Sequence, residues 1–472
     1  MTEARRKRSV RPVAWGAAFG MIWMLGAWAC GAPKAEAPAA APRNVIFILI
    51  DTLRADRLSS YGYARATTPN LDTFAKESLL FEQARSQAAC TFPSVNSILT
   101  SRWPARFFGQ PQKRIGIPDG FPALPEILGA AGYRSIAVSA SPIVRKSESS
   151  FNLHGGFDRG FEIFDESCFH RRADCINRRA NRYLKQTDRP LFLYLHYQDV
   201  HSTYAAPSPW REKFLPASSA RPPRDWALAG NPQPILSSLL GEGPKVEATP
   251  EEIETLSALY DGELAYLDSQ LGELFANLRA RGLLDSSIVV IASDHGEEFM
   301  EHGRVLHCET QFETSIHVPM ILRLPESKRR GRIAALVENL DLVPTIVDYL
   351  DLKVEVPFEG TSLRPLIERG APVHPTTETL QYALRSTTDG KAKLIFDSGR
   401  AAGAEGRFAL YDLVADPMEQ KDRLTADPET YRRLRGHLET RLKKAEGDLD
   451  AAKTLDASRE SESRLKSLGY LH

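Results

Sequence analysis

Apolar runs that end in polar residues recur along the chain: Asn44 to Ile50, Tyr133 to Val138, Leu191 to Leu195, Ile288 to Ala292 and Met320 to Leu324. Runs of this length without polar alternation suit strands buried on both faces, so they read as parallel strands inside a sheet. Amphipathic segments lie between them. Pro69 to Ser78, Phe121 to Ala131, Asp174 to Lys185 and Pro250 to Arg281 read as helices. In the last, Leu256, Leu259, Leu264, Leu267, Leu271 and Leu274 recur at helical spacing. Strands alternating with helices predict a mostly parallel sheet covered on both faces. Ligands of such sheets bind beyond the carboxyl ends of the strands, which points to Asp51, His196 to His201, and Ser293 to Gly296.

From about Gly370 the pattern breaks into short pieces, Leu394 to Phe396 and Ala409 to Leu413, followed by a charged helix from Pro428 to Ala451. Residues 370–472 therefore read as a small C-terminal α+β subdomain behind a main α/β domain of residues 43–369. The stretch from Ala205 to Thr249, rich in Pro, Ser and Gly, reads as a long surface insertion close to the strand ends, where it would shape access.

The first thirty residues follow a different logic. Arg5, Arg6, Lys7, Arg8 and Arg11 precede an apolar stretch from Val13 to Ala29, and Cys30 follows. A basic start, an apolar run and a small residue before cysteine match an export signal with a lipoprotein cleavage site, although Trp28 makes the box imperfect. The apolar run is also at the lower limit for a membrane-spanning helix, so an uncleaved anchor or a removed secretory peptide stays open. Residues 31–42, nearly all Ala and Pro, cannot bury a core and suit a spacer. The expectation is an exported body, periplasmic or at the cell surface, tied to the membrane through lipid or an anchor.

Composition adds two exclusions. Hydrophobic residues make up 42% and charged residues 25%, an ordinary globular balance. Sixty basic residues face sixty acidic ones, so nothing global attracts nucleic acid, and any anion must be held locally. Beyond Cys30 the cysteines are Cys90, Cys168, Cys175 and Cys308, without a Cys-x-x-Cys metal pattern. Export permits disulfides. Cys168 with Cys175 is one expected pair, although on a continuous helix these positions lie about 10 Å apart, so the segment must loop. Cys90 with Cys308 is the other.

Asp51 closes one apolar run, and Asp294-His295 closes another. Charges at the end of a buried strand need a partner, and a divalent cation is one. The bland alternative is that Asp51 caps a helix and Asp294 pairs with an arginine.

The segments NVIFILIDTLRADRLSSYGY, TTPNLDTFA and CTFPSVNSILTSRWP resemble the opening of the sulfatase branch of the alkaline phosphatase superfamily. LFLYLHYQDVHSTYAAP, LYDGELAYLDSQLGEL, IVVIASDHGEEFMEHG, HVPMILRLP, VENLDLVPTIVDYLDL, LYDLVADPMEQKDRL and the closing LKSLGYLH continue it in the family's order. The resemblance implies an α/β/α sandwich with one divalent metal ion, held here by Asp51, Asp294, His295 and the nucleophile. Sulfatases usually carry a second acidic residue where this chain has Thr52. The remaining donors suit zinc or manganese as readily as calcium.

The same resemblance implies a nucleophile in a Cys-x-Pro-Ser-Arg motif, with the cysteine oxidised to formylglycine. Aligned on Pro93 and Ser94, this chain places Thr91 at that position, Cys90 one residue early and Val95 in place of the arginine. No formylglycine is expected, and Cys90→Ser is expected to keep most activity. Thr91 resembles the threonine of phosphoethanolamine and glycerolphosphate transferases, which attacks phosphorus. The alternative is that Thr91 only caps a helix from Phe92 to Leu99.

His201 matches the sulfate-contacting histidine of the family, and His302 and His307 follow the metal motif as substrate contacts, with His307 the acid candidate. His196, within a strand, reads as structural. Arg54 either anchors an anion or pairs with Asp56. The expected function is hydrolysis of a small-molecule or glycan sulfate or phosphate ester. Phosphoryl transfer is the first rival, and an inactive glycan-binding surface protein the second.

Overall fold

The computed structural model describes residues 44–449, apart from 109–115, 118–119, 150–151, 153–154, 170–171, 185–188, 217–222, 326–328, 356, 382 and 399–405. The export segment, Cys30, the Ala/Pro spacer and the closing LKSLGYLH lie outside the described residues. No helix among the described residues is long and apolar enough to cross a membrane.

The main-sheet strands in the first two thirds of the chain are β1 (Asn44–Ile50), β2 (Leu79–Arg85), β3 (Arg134–Ser139), β4 (Ile163–Asp165), β5 (Leu191–Tyr197) and β6 (Ser287–Ser293). A two-stranded ribbon follows, β7 (Glu298–Phe299) and β8 (Val305–Leu306), and then β9 (Met320–Arg323) and β10 (Gly331–Glu338). Eight strands form one sheet in the order β10-β2-β9-β6-β1-β5-β3-β4. β1 is central, parallel to β5 on one side and to β6 on the other. Only β9 runs antiparallel, against both β6 and β2, which corrects its reading as a parallel strand. A short apolar run signals burial on both faces and carries no information about direction.

β1 explains the layering. Ile46, Ile48 and Ile50 join one core with Leu71 and Phe74 of α1 (Pro69–Lys76) and with Leu256, Leu264 and Leu271 of the long helix Pro250–Ala280. Val45, Phe47 and Leu49 join the other core with Val95, Ile98 and Leu99 of α2 (Thr91–Thr100) and with Val343 and Ile346 of the helix Leu342–Tyr349. The twofold period of a strand divides its side chains between two helical layers, which makes the α/β/α sandwich. Thr249 opens the long helix with a capping box: its hydroxyl accepts from the Glu252 N–H at 3.3 Å, and Glu252 Oε2 accepts from the Thr249 N–H at 2.9 Å.

A second, antiparallel sheet of β11 (Thr377–Gln381), β12 (Leu384–Thr388), β13 (Ala392–Asp397) and β14 (Arg407–Asp412) packs under the helix Pro428–Leu449 through Leu394, Leu410 and Leu434. It is fastened to the main body by charge. Lys393 Nζ, fully buried, lies 3.1 Å from Glu313 and 2.6 Å from Glu419, and Arg85 lies 2.6 Å from Glu313. The stretch 205–249 is less superficial than expected. It contains helices Asp225–Leu228 and Gln233–Leu239, and Ala206, Ile235 and Leu236 enter the core beside the long helix.

Candidate functional site

Ile50 of β1 is paired with Ser293 of β6, so the residues that follow, Asp51 and Asp294, emerge side by side at the carboxyl edge. Both carboxylates are almost fully buried. Asp294 Oδ1 accepts from the N–H groups of Thr52 at 3.2 Å and His295 at 2.9 Å, whereas Asp294 Oδ2 and both Asp51 oxygens have no hydrogen-bond partner. Thr52 follows in the left-handed region, with φ 55°. Its own hydroxyl is unpartnered, so it adds no charge where a second acid would sit.

His295 lies across this pair. Its Nδ1 is 3.0 Å from the Gly296 carbonyl oxygen, which assigns the hydrogen to Nδ1 and leaves Nε2 with its lone pair. Nε2 stands 3.1 Å from Thr91 Oγ1, 3.5 Å from Asp294 Oδ2 and 3.8 Å from Asp51 Oδ1. Gly296 is required here, because a Cβ would overlap the Thr314 carbonyl oxygen. Thr91 is the first residue of α2, and that helix is tied down by the Ser94 hydroxyl donating to the Asp294 carbonyl at 2.6 Å.

The donor atoms of Asp51, Asp294 and His295 all lie within 4.8 Å of one another, as ligands of one ion must. The electrostatics agree. Burial and then the charge of Asp51 push Asp294 up to about 7. Burial opposes the charge on Asp51 as well, but contact with His196 and the nearby His201 and His295 outweigh it and hold Asp51 below the usual carboxylate range. Two buried carboxylates this close keep full charge at neutral pH only with a cation between them. The residues fit a divalent ion.

Two further imidazoles complete the cluster. The His307 ring centroid lies 4.6 Å from that of His295 and 5.0 Å from that of His201. His307 Nδ1 is 2.8 Å from Glu297 Oε1, and Glu297 Oε2 accepts from the Tyr204 hydroxyl at 3.0 Å. His201 Nδ1 is 2.7 Å from the Ser202 carbonyl oxygen, and its Nε2 is buried and unpartnered. Both rings therefore present Nε2, one backed by a carboxylate and the other by a neutral carbonyl.

His302 is not brought into this cluster. Its Nδ1 faces Glu298 at 3.1 Å, its Nε2 faces the Met418 carbonyl at 2.9 Å, and its ring stacks on Phe312 at 3.5 Å. With both nitrogens engaged it joins the metal-motif loop to the C-terminal segment and has no atom left for a substrate oxygen, which corrects its reading as a substrate contact. Arg54 is also committed, to Asp56 at 2.7 Å, Glu301 at 2.6 Å and the Glu297 carbonyl at 2.8 Å.

His196 is fully buried inside β5, as its structural reading expects, and also faces the site. Its Nδ1 is 3.0 Å from the Tyr194 hydroxyl and its Nε2 is 3.5 Å from Asp51 Oδ2, so it backs the first carboxylate from inside β5. Its position at the carboxyl end of a parallel strand was the available signal. Glu297 and Tyr204 carried no signal of their own.

Comparison with known proteins identifies the family. Residues 43–352 match the family described as Sulfatase. An ulvan-active sulfatase of Formosa agariphila is 26% identical over 439 residues, covering 86% of this chain and 81% of the relative. The phosphonate monoester hydrolase of Agrobacterium radiobacter superposes with TM-score 0.66 at 20% identity, covering 86% of this chain and 96% of that structure. A solved structure in complex with its substrate D-glucosamine-2-N,6-O-disulfate superposes with TM-score 0.65 at 17% identity, covering 88% and 99%. The family match spans well over half of the sequence and includes both strand ends that carry the carboxylates: this chain belongs to the sulfatase family.

Proposed function

We propose that this protein hydrolyses a sulfate ester at a single divalent-cation site, with the Thr91 hydroxyl as nucleophile. The observation that carries the reading is the convergence of Thr91 Oγ1, His295 Nε2 and the unpartnered oxygens of Asp51 and Asp294 at one sheet edge. Asp51, Asp294, His295 and Thr91 would hold the ion, and their mixed oxygen and nitrogen donors suit calcium, zinc or manganese. When bound, such an ion withdraws charge from the ester and lowers the cost of ionising a hydroxyl.

The rest follows from the chain's own groups. Thr91 Oγ1 forms a bond to sulfur, and the sulfur–oxygen bond to the alcohol breaks. The Thr91 proton passes to His201 Nε2, which is free to accept it. The departing alkoxide takes a proton from His307 Nε2, and Glu297 balances the charge of that ring in its acid form. Water then attacks the Thr91 sulfate ester with the roles reversed, which releases sulfate and restores the hydroxyl. Cys90 is bonded to Cys308, so its sulfur is engaged one residue from the nucleophile. The substrate class that the relatives favour is a sulfated sugar.

A phosphate or phosphonate ester is the second reading, supported by the likeness to a phosphonate monoester hydrolase and by the threonine, with transfer to an acceptor alcohol as its variant. Metal analysis of the purified protein, paired with rates on matched aryl sulfate, phosphate and phosphonate esters, tests both. Sulfate turnover well above the phosphorus esters supports the first reading, the reverse order supports the second, and no turnover by metal-loaded protein refutes both. We place the protein outside the cytoplasm, lipidated at Cys30. The mass of its N-terminal peptide from membranes tests that.

A further inference from the structure

We infer that the Cys90–Cys308 disulfide is a positioning strap that holds the turn carrying His307 over Thr91, so that acid catalysis by His307 depends on that bond. The inference rests on the roles given to Thr91 and His307 above. Cys90 immediately precedes Thr91, and Cys308 immediately follows His307, with their Cα atoms 5.0 Å apart. The bond therefore joins the segment that bears the nucleophile to the segment that bears the acid, across 218 residues of sequence.

A second observation says why a strap is needed. The residues on either side of His307 both sit in the left-handed region, Leu306 at φ 66° and Cys308 at φ 76°. Neither is glycine, and such conformations are unfavourable for residues with a side chain and persist only where the surroundings over-determine them. The β7–β8 ribbon before the turn is only two residues long on each side, too short a ladder for that task. Beyond burial of Val305 and Leu306 in the core and packing of the His307 ring against His295 and His201, the turn is held by the disulfide, one hydrogen bond from the Cys308 N–H to the Ala89 carbonyl at 2.9 Å, and the Glu297 contact at the ring. Without the covalent tie, Leu306 and Cys308 relax toward ordinary negative φ, and that rotation carries His307 away from the leaving oxygen. A misplacement of about 1 Å in a catalytic group can cost about 100-fold in rate. Both half-cystines are buried, so the strap is intact in the folded enzyme unless a reductant reaches it through opening of the turn. Cys90→Ser should therefore show a selective loss on alkyl esters, in place of the expectation that it keeps most activity.

The test uses the full chain with the double substitution Cys90→Ala/Cys308→Ala, read against leaving-group quality. A 4-nitrophenyl ester departs without protonation and an alkyl ester does not, so loss of a positioned acid slows the alkyl ester selectively. The expected result is a drop of roughly 10- to 100-fold on alkyl esters, less than about 3-fold on the 4-nitrophenyl ester, and unchanged metal content. In a His307→Ala background the same double substitution should add less than about 3-fold, since neighbours that act as a unit are not additive. Cys168→Ala/Cys175→Ala removes the other disulfide and should lower thermal stability without changing the leaving-group pattern. If the strap variant does not fold, the measurement moves to that Cys168→Ala/Cys175→Ala protein. Cys90–Cys308 is then its only disulfide among the described residues, and an added dithiol reduces it, supplying two electrons and two protons. Equal losses on both ester classes, losses that add to those of His307→Ala, or full activity without the bond each overturn the inference. If Thr91→Ala retains wild-type rates, the underlying reading fails. If Thr91→Ala is inert and His307→Ala shows the leaving-group pattern while the strap variant does not, only the strap fails.

Discussion

Glu297→Gln isolates the charge behind His307 with little change of shape. Glu297 is fully buried and makes two contacts through its carboxylate, His307 Nδ1 at 2.8 Å and the Tyr204 hydroxyl at 3.0 Å. A glutamine in the same rotamer can still accept from His307 through its carbonyl, and the Tyr204 hydroxyl can rotate to accept from the new amide. What disappears is the negative charge that balances a protonated ring. A hydrogen bond to a charged partner contributes about 1.5–3 kcal/mol, which corresponds to about 10- to 150-fold. That reaches only the lower end of the 10²- to 10⁴-fold typical of a whole general acid, as a partial loss should. The assay is kcat on an alkyl sulfate and on 4-nitrophenyl sulfate, with metal content and thermal midpoint measured on the same preparations. The alkyl ester should slow by that factor while the activated ester stays within about 3-fold. Equal rates on the alkyl ester, or equal slowing of both, would refute the assignment of His307 as a carboxylate-backed acid.

Asp294→Asn should lower bound metal and turnover together, because it removes a charge and an oxygen donor from a hard cation; metal content and activity both at wild-type levels would move the site elsewhere. His302→Ala should lower the thermal midpoint by loosening the C-terminal segment while leaving the leaving-group dependence alone; a selective loss on alkyl esters would return His302 to the catalytic cluster. Stability should fall as pH rises through neutrality because of the cluster around His374. Burial opposes the charge on His374, but its 2.8 Å contact with Asp341 and the nearby Glu338 and Glu378 hold it up at about 9, and burial together with Asp341 pushes Glu338 up to about 7. Both folded-state values exceed the ordinary ones, so the folded protein holds extra protons. This stabilisation is complete below about 4.5 for Glu338 and 6.5 for His374, and is lost as pH passes about 7 and about 9. His374→Gln should therefore flatten the fall between pH 6.5 and 9, on the order of 1–3 kcal/mol, in thermal or denaturant melts; a parallel curve would reject the assignment.

The layered fold was legible because β1, β3, β5, β6 and β9 are apolar runs and helical leucine spacing marked the covering layers, whereas the interior strand β2, interrupted by Glu82 and Gln83, was not read as one. The direction of β9 was not, since burial on both faces produces the same residues in either direction. Asp51, Asp294 and His295 were legible as residues just past strand ends, and the β1–β6 register brings them together. His196 was read as structural because it lies inside a strand, and it is buried there against Tyr194 while its other nitrogen faces Asp51. His302 and His307 were both read as substrate contacts in sequence, with His307 preferred as the acid. Which of them faces the site depends on Glu297, Tyr204 and the turn at Leu306 to Cys308, contacts that no local pattern encodes. The Cys168–Cys175 pair forms, with Cα atoms 5.8 Å apart, because Cys168 lies in a turn ahead of the helix Ala173–Tyr183, not on it.

The central claim is that an unmodified Thr91 attacks the ester, and Thr91→Ala tests it most directly. The variant loses one hydroxyl and one methyl group at the first turn of α2, so it should fold and keep most of its metal through Asp51, Asp294 and His295. Its turnover should fall by at least roughly 10³-fold on activated and unactivated esters alike, because no other group supplies the bond to sulfur. Single-turnover kinetics with metal content measured on the same protein is the assay, together with the intact mass of the peptide containing residues 90 and 91. A dead, metal-bound variant whose parent shows an unmodified Thr91 is the predicted result. Near-normal rates in Thr91→Ala, or formylglycine at position 90, would contradict it.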